Sequence, residues 1–382
     1  MGTFTGLIPG IHVNMIAAFV LGFSLNEYPL FLGAFLISLG VTHSFVDFIP
    51  SIYLGAPDPS TALAVLPGHK YLLRGHAHMA IFLSVVGGVV AIFLLLLSLP
   101  IIFAFLPQTY AALKGTIPLL LFCIMTYMIL LEKNKKAAFL VFALSGILGI
   151  LSFKTYLNET QIFTALLSGL FGLSTIATTA AHNTKAPKQS LAANTPAKDA
   201  VVGGFLGFLA GLAAGILPAI GSSQSAILMN NLAGKKGARK YIISLGAINT
   251  INILLSVLAI YLIGRSRSGI AVAVEGLFEM VSMNDVLFFV GVGILSTAFA
   301  ATTTIHISKK ISKNMIRINY KKLNCGVFVF LLASILIISG SLGILVALTG
   351  MFLGIYAQIV RVKKSLLLGA LVVPVFLVFI GL

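Results

Sequence analysis

Apolar residues fill this chain in long runs, parted by short polar or glycine-proline stretches. Runs near or beyond the ~20 residues that cross a bilayer recur at 30–54, 79–106, 117–131, 137–153, 162–181, 241–263, 286–305, 326–339, 342–360 and 366–382. Runs this long and evenly apolar fit helices, which satisfy their own backbone groups in lipid, better than the alternating strands of a barrel. The pattern predicts an all-α polytopic membrane protein of about ten transmembrane helices.

Two of the interruptions match each other. Residues 6–14 read GLIPGIHVN and residues 215–223 read GILPAIGSS. FLISLG at 35–40 is echoed by YIISLG at 241–246, and YLG at 53–55 by YLIG at 261–264. The shared offset predicts a tandem duplication: a first transmembrane repeat at 1–181, a hydrophilic linker at 182–199 and a second repeat at 200–382. Segment 30–54 and its counterpart 241–263 are expected to cross in opposite directions, so the repeats are inverted, the layout of secondary transporters. The run 201–232 is broken in its middle by GILPAIGSSQS and reads as a re-entrant hairpin turning at 218–223. A full helix kinked at Pro218 is the alternative. Only five residues precede the first motif, so either its hairpin lacks a leading arm or the sequence starts inside it.

Charge assigns the sides. The chain carries a net +16, yet only 9% of its residues are charged, 59% are hydrophobic and the mean hydropathy is +1.08. With alternating segments and the hairpin returning KKGARK (235–240) to its own side, 21 of the 25 basic residues share one face, leaving Lys114, Lys154, Arg265 and Arg267 on the other. The positive-inside rule makes the basic face, linker 182–199 included, cytoplasmic. The charge is thus topological, with anionic lipid headgroups rather than nucleic acid as its expected partner.

The breaks carry the candidate chemistry. A helix restarting at about Ile11 and another at about Ser222 would each aim unpaired amides and a positive dipole end at an anion. Glycine admits close approach and proline releases carbonyls that suit a cation. The candidate substrate residues are Pro9, Gly10, His12, Asn14, Pro218, Gly221, Ser222, Ser223, Gln224 and Ser225. Tight packing of small residues is the competing explanation, weakened by the occurrence of two breaks at corresponding places. For ion coupling the candidates are His43 and Asp47, one turn apart on one helix face, with Asp58 in a polar turn and Asn249 as an uncharged counterpart in the second half. His69, Lys70, Arg74, His76 and His78 lack cysteine or carboxylate neighbours and read as a charge anchor, not a metal site. Cys123 and Cys325 lie in apolar runs and read as inert.

With SIYLGAPDPSTALAVLPG at 51–68, the two motifs resemble the large permease subunit of the tripartite tricarboxylate transporters, in a short archaeal-like form. The chain departs from that family's more glycine-rich pattern: Ala219 stands opposite Gly10, and His12 and Asn14 stand opposite Gly221 and Ser223. The resemblance implies uptake of a small organic anion, a di- or tricarboxylate, driven by an H+ or Na+ gradient. It also implies a small membrane subunit and an extracytoplasmic binding protein as partners; a homodimer is left open. A polyprenyl-phosphate or other lipid-carrier flippase is the alternative reading. An integral membrane enzyme is the weaker one, since no pattern such as HExxH occurs, and no cofactor is expected.

Overall fold

The computed structural model describes residues 1–8, 13, 16–17, 28–55, 61, 64–180, 187–216, 225, 237–266, 268–315, 320–379 and 381. Among them there are helices and no strands. In chain order these are α1 (Gly2–Leu7), α2 (Pro29–Val46), α3 (Phe48–Tyr53), α4 (Val65–Leu73), α5 (Ala77–Leu113), α6 (Ile117–Leu130), α7 (Lys135–Phe153) and α8 (Glu159–Leu167). After a π-helical turn at Ser168–Leu173 follow α9 (Ser174–Ala180), α10 (Ala197–Ile216), α11 (Ala238–Ile263), α12 (Gly269–Gly276) and α13 (Met283–Asn314). The chain ends in α14 (Tyr320–Ile359), a 3-10 turn (Lys364–Leu368) and α15 (Gly369–Phe379).

Eight stretches of described helix are long and apolar enough to cross a membrane. The expected count of about ten differs for local reasons. The run 117–131 makes only the 14-residue α6, and the run 366–382 makes the short α15. The runs 326–339 and 342–360 together form α14, two helices meeting at Gly340, whose φ of 65° and ψ of −163° only glycine adopts without strain. The two helices fold back on each other there: a Cβ on Gly343 would come within 3.5 Å of the Ile335 side chain, eight residues earlier. Conversely, α10 counts as a span although the sequence assigns it to one arm of a hairpin.

Two large apolar cores organise the described helices, with a small third cluster around Met125 and Val372. The first gathers buried residues of α2–α5 and α10–α13, the second those of α6–α9, α14 and α15. Each core therefore draws on both halves of the chain. Pro29 and Ala238, Val65 and Gly269, Ala77 and Met283, and Ile117 and Tyr320 open elements that succeed one another in the same order, 203 to 209 residues apart. Leu54, at the end of α3, packs against both cores.

At the centre of the first core stands α11. Backbones touch it because glycines remove the side chains between them. A Cβ on Gly87 of α5 would lie 1.9 Å from the Ile243 carbonyl oxygen, and one on Gly246 would lie 2.0 Å from that of Ser84. On α10, glycines at 203, 207, 211 and 215 form one stripe, four residues apart, facing Ile243, Ala247, Ile251 and Leu255 in turn. Contacts that rise together along both helices mean that α10 and α11 are parallel. Both begin at one end of the molecule, where Lys240 pairs with Asp199 at 3.2 Å. The described part of α10 therefore runs from the end where α11 begins as far as Leu255. In the same way Gly2 of α1 faces Leu39 and Thr42 of α2, and Gly6 faces Val46, so α1 and α2 are also parallel. By contrast α2 and α11 run antiparallel: Gly40 lies by Ile253, while Ser44 and Asp47 lie by Asn249.

The ends of the bundle are also sorted. Ser190 donates to the Gly75 carbonyl at 2.7 Å, and Gln189 accepts from the Ala77 amide at 2.9 Å, which docks the linker on the turn before α5. Lys363 reaches Glu132 at 3.3 Å. Lys70, Arg74, Lys188, Lys240, Lys309 and Lys363 are thereby gathered toward one end. At the other end Gln161 donates to the Ile338 carbonyl at 2.8 Å and its own carbonyl accepts from Ser339.

Candidate functional site

Inside the first core, polar side chains meet on the inner face of α2. His43 is 5% and Asp47 2% exposed, one helical turn apart. An ionisable pair this deep in a span is costly and needs partners. Asn249 of α11 supplies one: its amide nitrogen donates to Asp47 Oδ2 at 3.1 Å and to the Ser44 carbonyl at 3.1 Å. The sequence offered Asn249 as a remote counterpart of the pair; the fold sets it directly against Asp47. The reason is the antiparallel crossing of α2 and α11, which no spacing within one helix reveals.

His43 is held from α1. Its Nδ1 lies 3.0 Å from the Thr5 hydroxyl, and that hydroxyl donates to the Gly2 carbonyl at 3.1 Å. With its single proton so committed, Thr5 can only accept from the ring, which places the proton of neutral His43 on Nδ1. Asp47 marks the boundary between α2 and α3, and its cause is Pro50, which cannot donate to the Val46 carbonyl four residues back. A buried carboxylate, a carboxamide and a carbonyl deprived of its helical donor thus occupy one place. Such oxygens suit a proton or a hard monovalent cation.

Of the residues proposed at the breaks, Ser225 is described: it is 2% exposed and its hydroxyl has no partner among the described residues. Pro9, Gly10, His12, Asn14, Asp58, Pro218, Gly221, Ser222, Ser223 and Gln224 lie outside the described residues. The arms that lead to the breaks are described. α1 ends beside Val46, and α10 ends beside Leu255, six residues along α11 from Asn249. At ~1.5 Å per residue both arms end within about 10 Å, along the helix axes, of the Asp47–Asn249 contact.

A second polar network was not anticipated. The Tyr53 hydroxyl lies 3.0 Å from that of Ser308 and 2.6 Å from that of Ser312, and His78 Nδ1 lies 2.9 Å from Ser308. It ties α3, α5 and α13 together at the basic end. The only trace in the sequence is the one-turn spacing of Ser308 and Ser312. The basic histidine cluster is dispersed by the same contacts. His78 faces α13, whereas His69 turns to the Ile52 carbonyl at 3.2 Å. No group of three or more histidine, cysteine, aspartate or glutamate side chains suited to a metal occurs among the described residues. Both Cys123 and Cys325 are exposed on the apolar surface.

Comparison with known proteins adds two findings. Residues 1–369 match a family model described as the tripartite tricarboxylate transporter TctA family. The chain is also similar to an uncharacterized protein of Methanocaldococcus jannaschii, 31% identical over 99% of this chain and 96% of that relative. No solved structure matches it.

Proposed function

The chain belongs to the tripartite tricarboxylate transporter TctA family, and from that premise we propose that this multi-pass permease carries a small di- or tricarboxylate, driven by an H+ or Na+ gradient. The substrate sits between the paired breaks GLIPGIHVN and GILPAIGSS, where restarting helices offer amides to its carboxylates. His43, Asp47 and Asn249, with Asp58, handle the coupling ion. The two halves are inverted repeats, 1–181 and 200–382, joined by linker 182–199, and the basic end faces the cytoplasm. A small membrane subunit and an extracytoplasmic binding protein deliver the substrate.

One observation carries this reading. The arms that lead to both breaks run in antiparallel directions and reach the level of a buried carboxylate, Asp47, that the other half of the chain contacts through Asn249. An anion and its driving cation would then be held side by side, the arrangement that couples their movement. Gly221→Val tests it, because a side chain at the turn blocks the ligand's approach to the backbone amides. The variant is expected to insert and purify as a monodisperse species while citrate no longer raises its thermal stability. A folded Gly221→Val protein with unaltered citrate affinity refutes the site.

A further inference from the structure

The arm of the first break is fastened to the ion-coupling helix through one buried polar contact. α1 lies directly on the backbone of α2 because its glycines remove the side chains between them. A Cβ on Gly2 would come 2.6 Å from the Leu39 carbonyl oxygen, and one on Gly6 would come 3.1 Å from that of His43. Thr5, 2% exposed, shares this face of α1 and meets the His43 ring there. Its hydroxyl donates to the Gly2 carbonyl at 3.1 Å and accepts from Nδ1 at 3.0 Å, so a proton gained by the neutral ring is gained at Nε2. The ring need not turn to take it, since Nδ1 keeps the same acceptor before and after. What changes is the strength of that bond: a hydrogen bond from an ionised donor is about twice as strong as a neutral one. A proton on His43 therefore draws α1 and α2 together at Thr5.

The charges around the ring suit this role. Asp47 lies one turn further along the same face of α2 and sets a carboxylate beside a protonated ring. On the described elements packed against α2 the other ionisable groups stand apart. They are the Met1 amino group one turn before Thr5, Tyr53 at the end of α3, Glu275 in the last turn of α12, and groups in the end turns of α5, α11 and α13 besides the exposed His306.

We propose that His43 carries the coupling proton and that Thr5 is its positioning residue, passing the charge of the ring to the arm of the first break; this rests on the reading of the chain as an H+-coupled permease. GLIPGIHVN begins inside α1, at Gly6, so a pull on α1 reaches the break through the chain itself.

Nitrogen NMR of the full-length protein, with isotope-labelled histidine and held in nanodiscs, tests the contact without any substrate. The His43 signal is assigned by its loss in His43→Gln. In wild type the neutral ring is expected to carry its proton on Nδ1, and Thr5→Ser to preserve that state. Thr5→Val, of the same size without the hydroxyl, should lose it and lower the midpoint of the ring's titration by about one pH unit, because the charged form loses the stronger bond. Citrate uptake into proteoliposomes, measured against external pH at constant membrane potential, should shift down with it in Thr5→Val and still reach the wild-type maximum. A proton on Nε2 of neutral wild-type His43, or an unaltered ring in Thr5→Val, overturns Thr5 as the positioning residue. Uptake lowered by one factor at every pH, an unshifted uptake profile beside a shifted ring, or uptake that responds to sodium alone overturns His43 as the carrier. Absence of citrate uptake by wild type under either gradient overturns the permease reading and the coupling role with it, whereas the ring measurement still decides the Thr5 contact.

Discussion

Removing the Asn249 carboxamide isolates the contact between the two halves. In Asn249→Ala, Asp47 loses a donor at 3.1 Å and the Ser44 carbonyl loses another, both in a site closed to water. A hydrogen bond to a charged group contributes ~1.5–3 kcal/mol, and a neutral bond between membrane helices about 0.6 kcal/mol. The carboxylate contact therefore dominates, and the single variant should lose on the order of 2–3 kcal/mol. Asp47→Leu removes the other partner, and in the double variant nothing buried is left half-paired. The thermodynamic cycle, measured by equilibrium unfolding in mixed micelles, should return a coupling of ~1.5 kcal/mol or more between the positions. Gradient-driven uptake into proteoliposomes should fall in each single variant. Strict additivity, together with normal uptake by Asn249→Ala, would show that the contact between α2 and α11 contributes nothing to stability or coupling.

Other perturbations reach the remaining parts of the argument. Asp47→Asn should abolish gradient-driven uptake and leave substrate counterflow, because exchange needs no net ion movement; loss of both would make Asp47 structural only. Single cysteines at Lys135, Lys188 and Lys240 should be shielded from an impermeant thiol reagent outside intact cells while one at Lys154 reacts, and the opposite labelling would invert the assignment of sides. Gly246→Leu should destabilise the fold by more than ~3 kcal/mol, since its first atom alone would sit 2.0 Å from a backbone oxygen; a normal unfolding midpoint would contradict the close approach of α5 and α11.

What the sequence made legible is what repeats along one dimension. Apolar runs of bilayer length located the spans, and the placement of Lys235 to Lys240 anticipated that α11 starts where α10 starts. The glycines that recur every four residues along α10 do not by their spacing name α11 as the partner. Pairings between distant segments were not legible. Asn249 meets Asp47 only because two helices cross antiparallel, and Tyr53 meets Ser308 only because α3 and α13 finish at one end. Lys364 reads in sequence as one more interfacial cation. The fold turns it inward onto Thr175, a distinction that depends on the chain reversing at Gly340 and again after Val362.

The length of α5 has a consequence for the surrounding lipid. Its 37 residues extend ~55 Å, nearly twice the ~30 Å thickness of a hydrocarbon core, and Phe93, Leu97, Ile101 and Phe105 expose a continuous greasy edge along it. A rod of that length lies steeply oblique, bends at Pro100 and Pro107, or thickens the leaflet beside it. Because Gly87 presses α5 directly onto the α11 backbone, its inclination is transmitted to the helix that carries Asn249. Membrane thickness is thereby a mechanical input to this protein: in bilayers of shorter or longer acyl chains, α5 is forced to lean differently, and the spacing around the buried carboxylate leans with it.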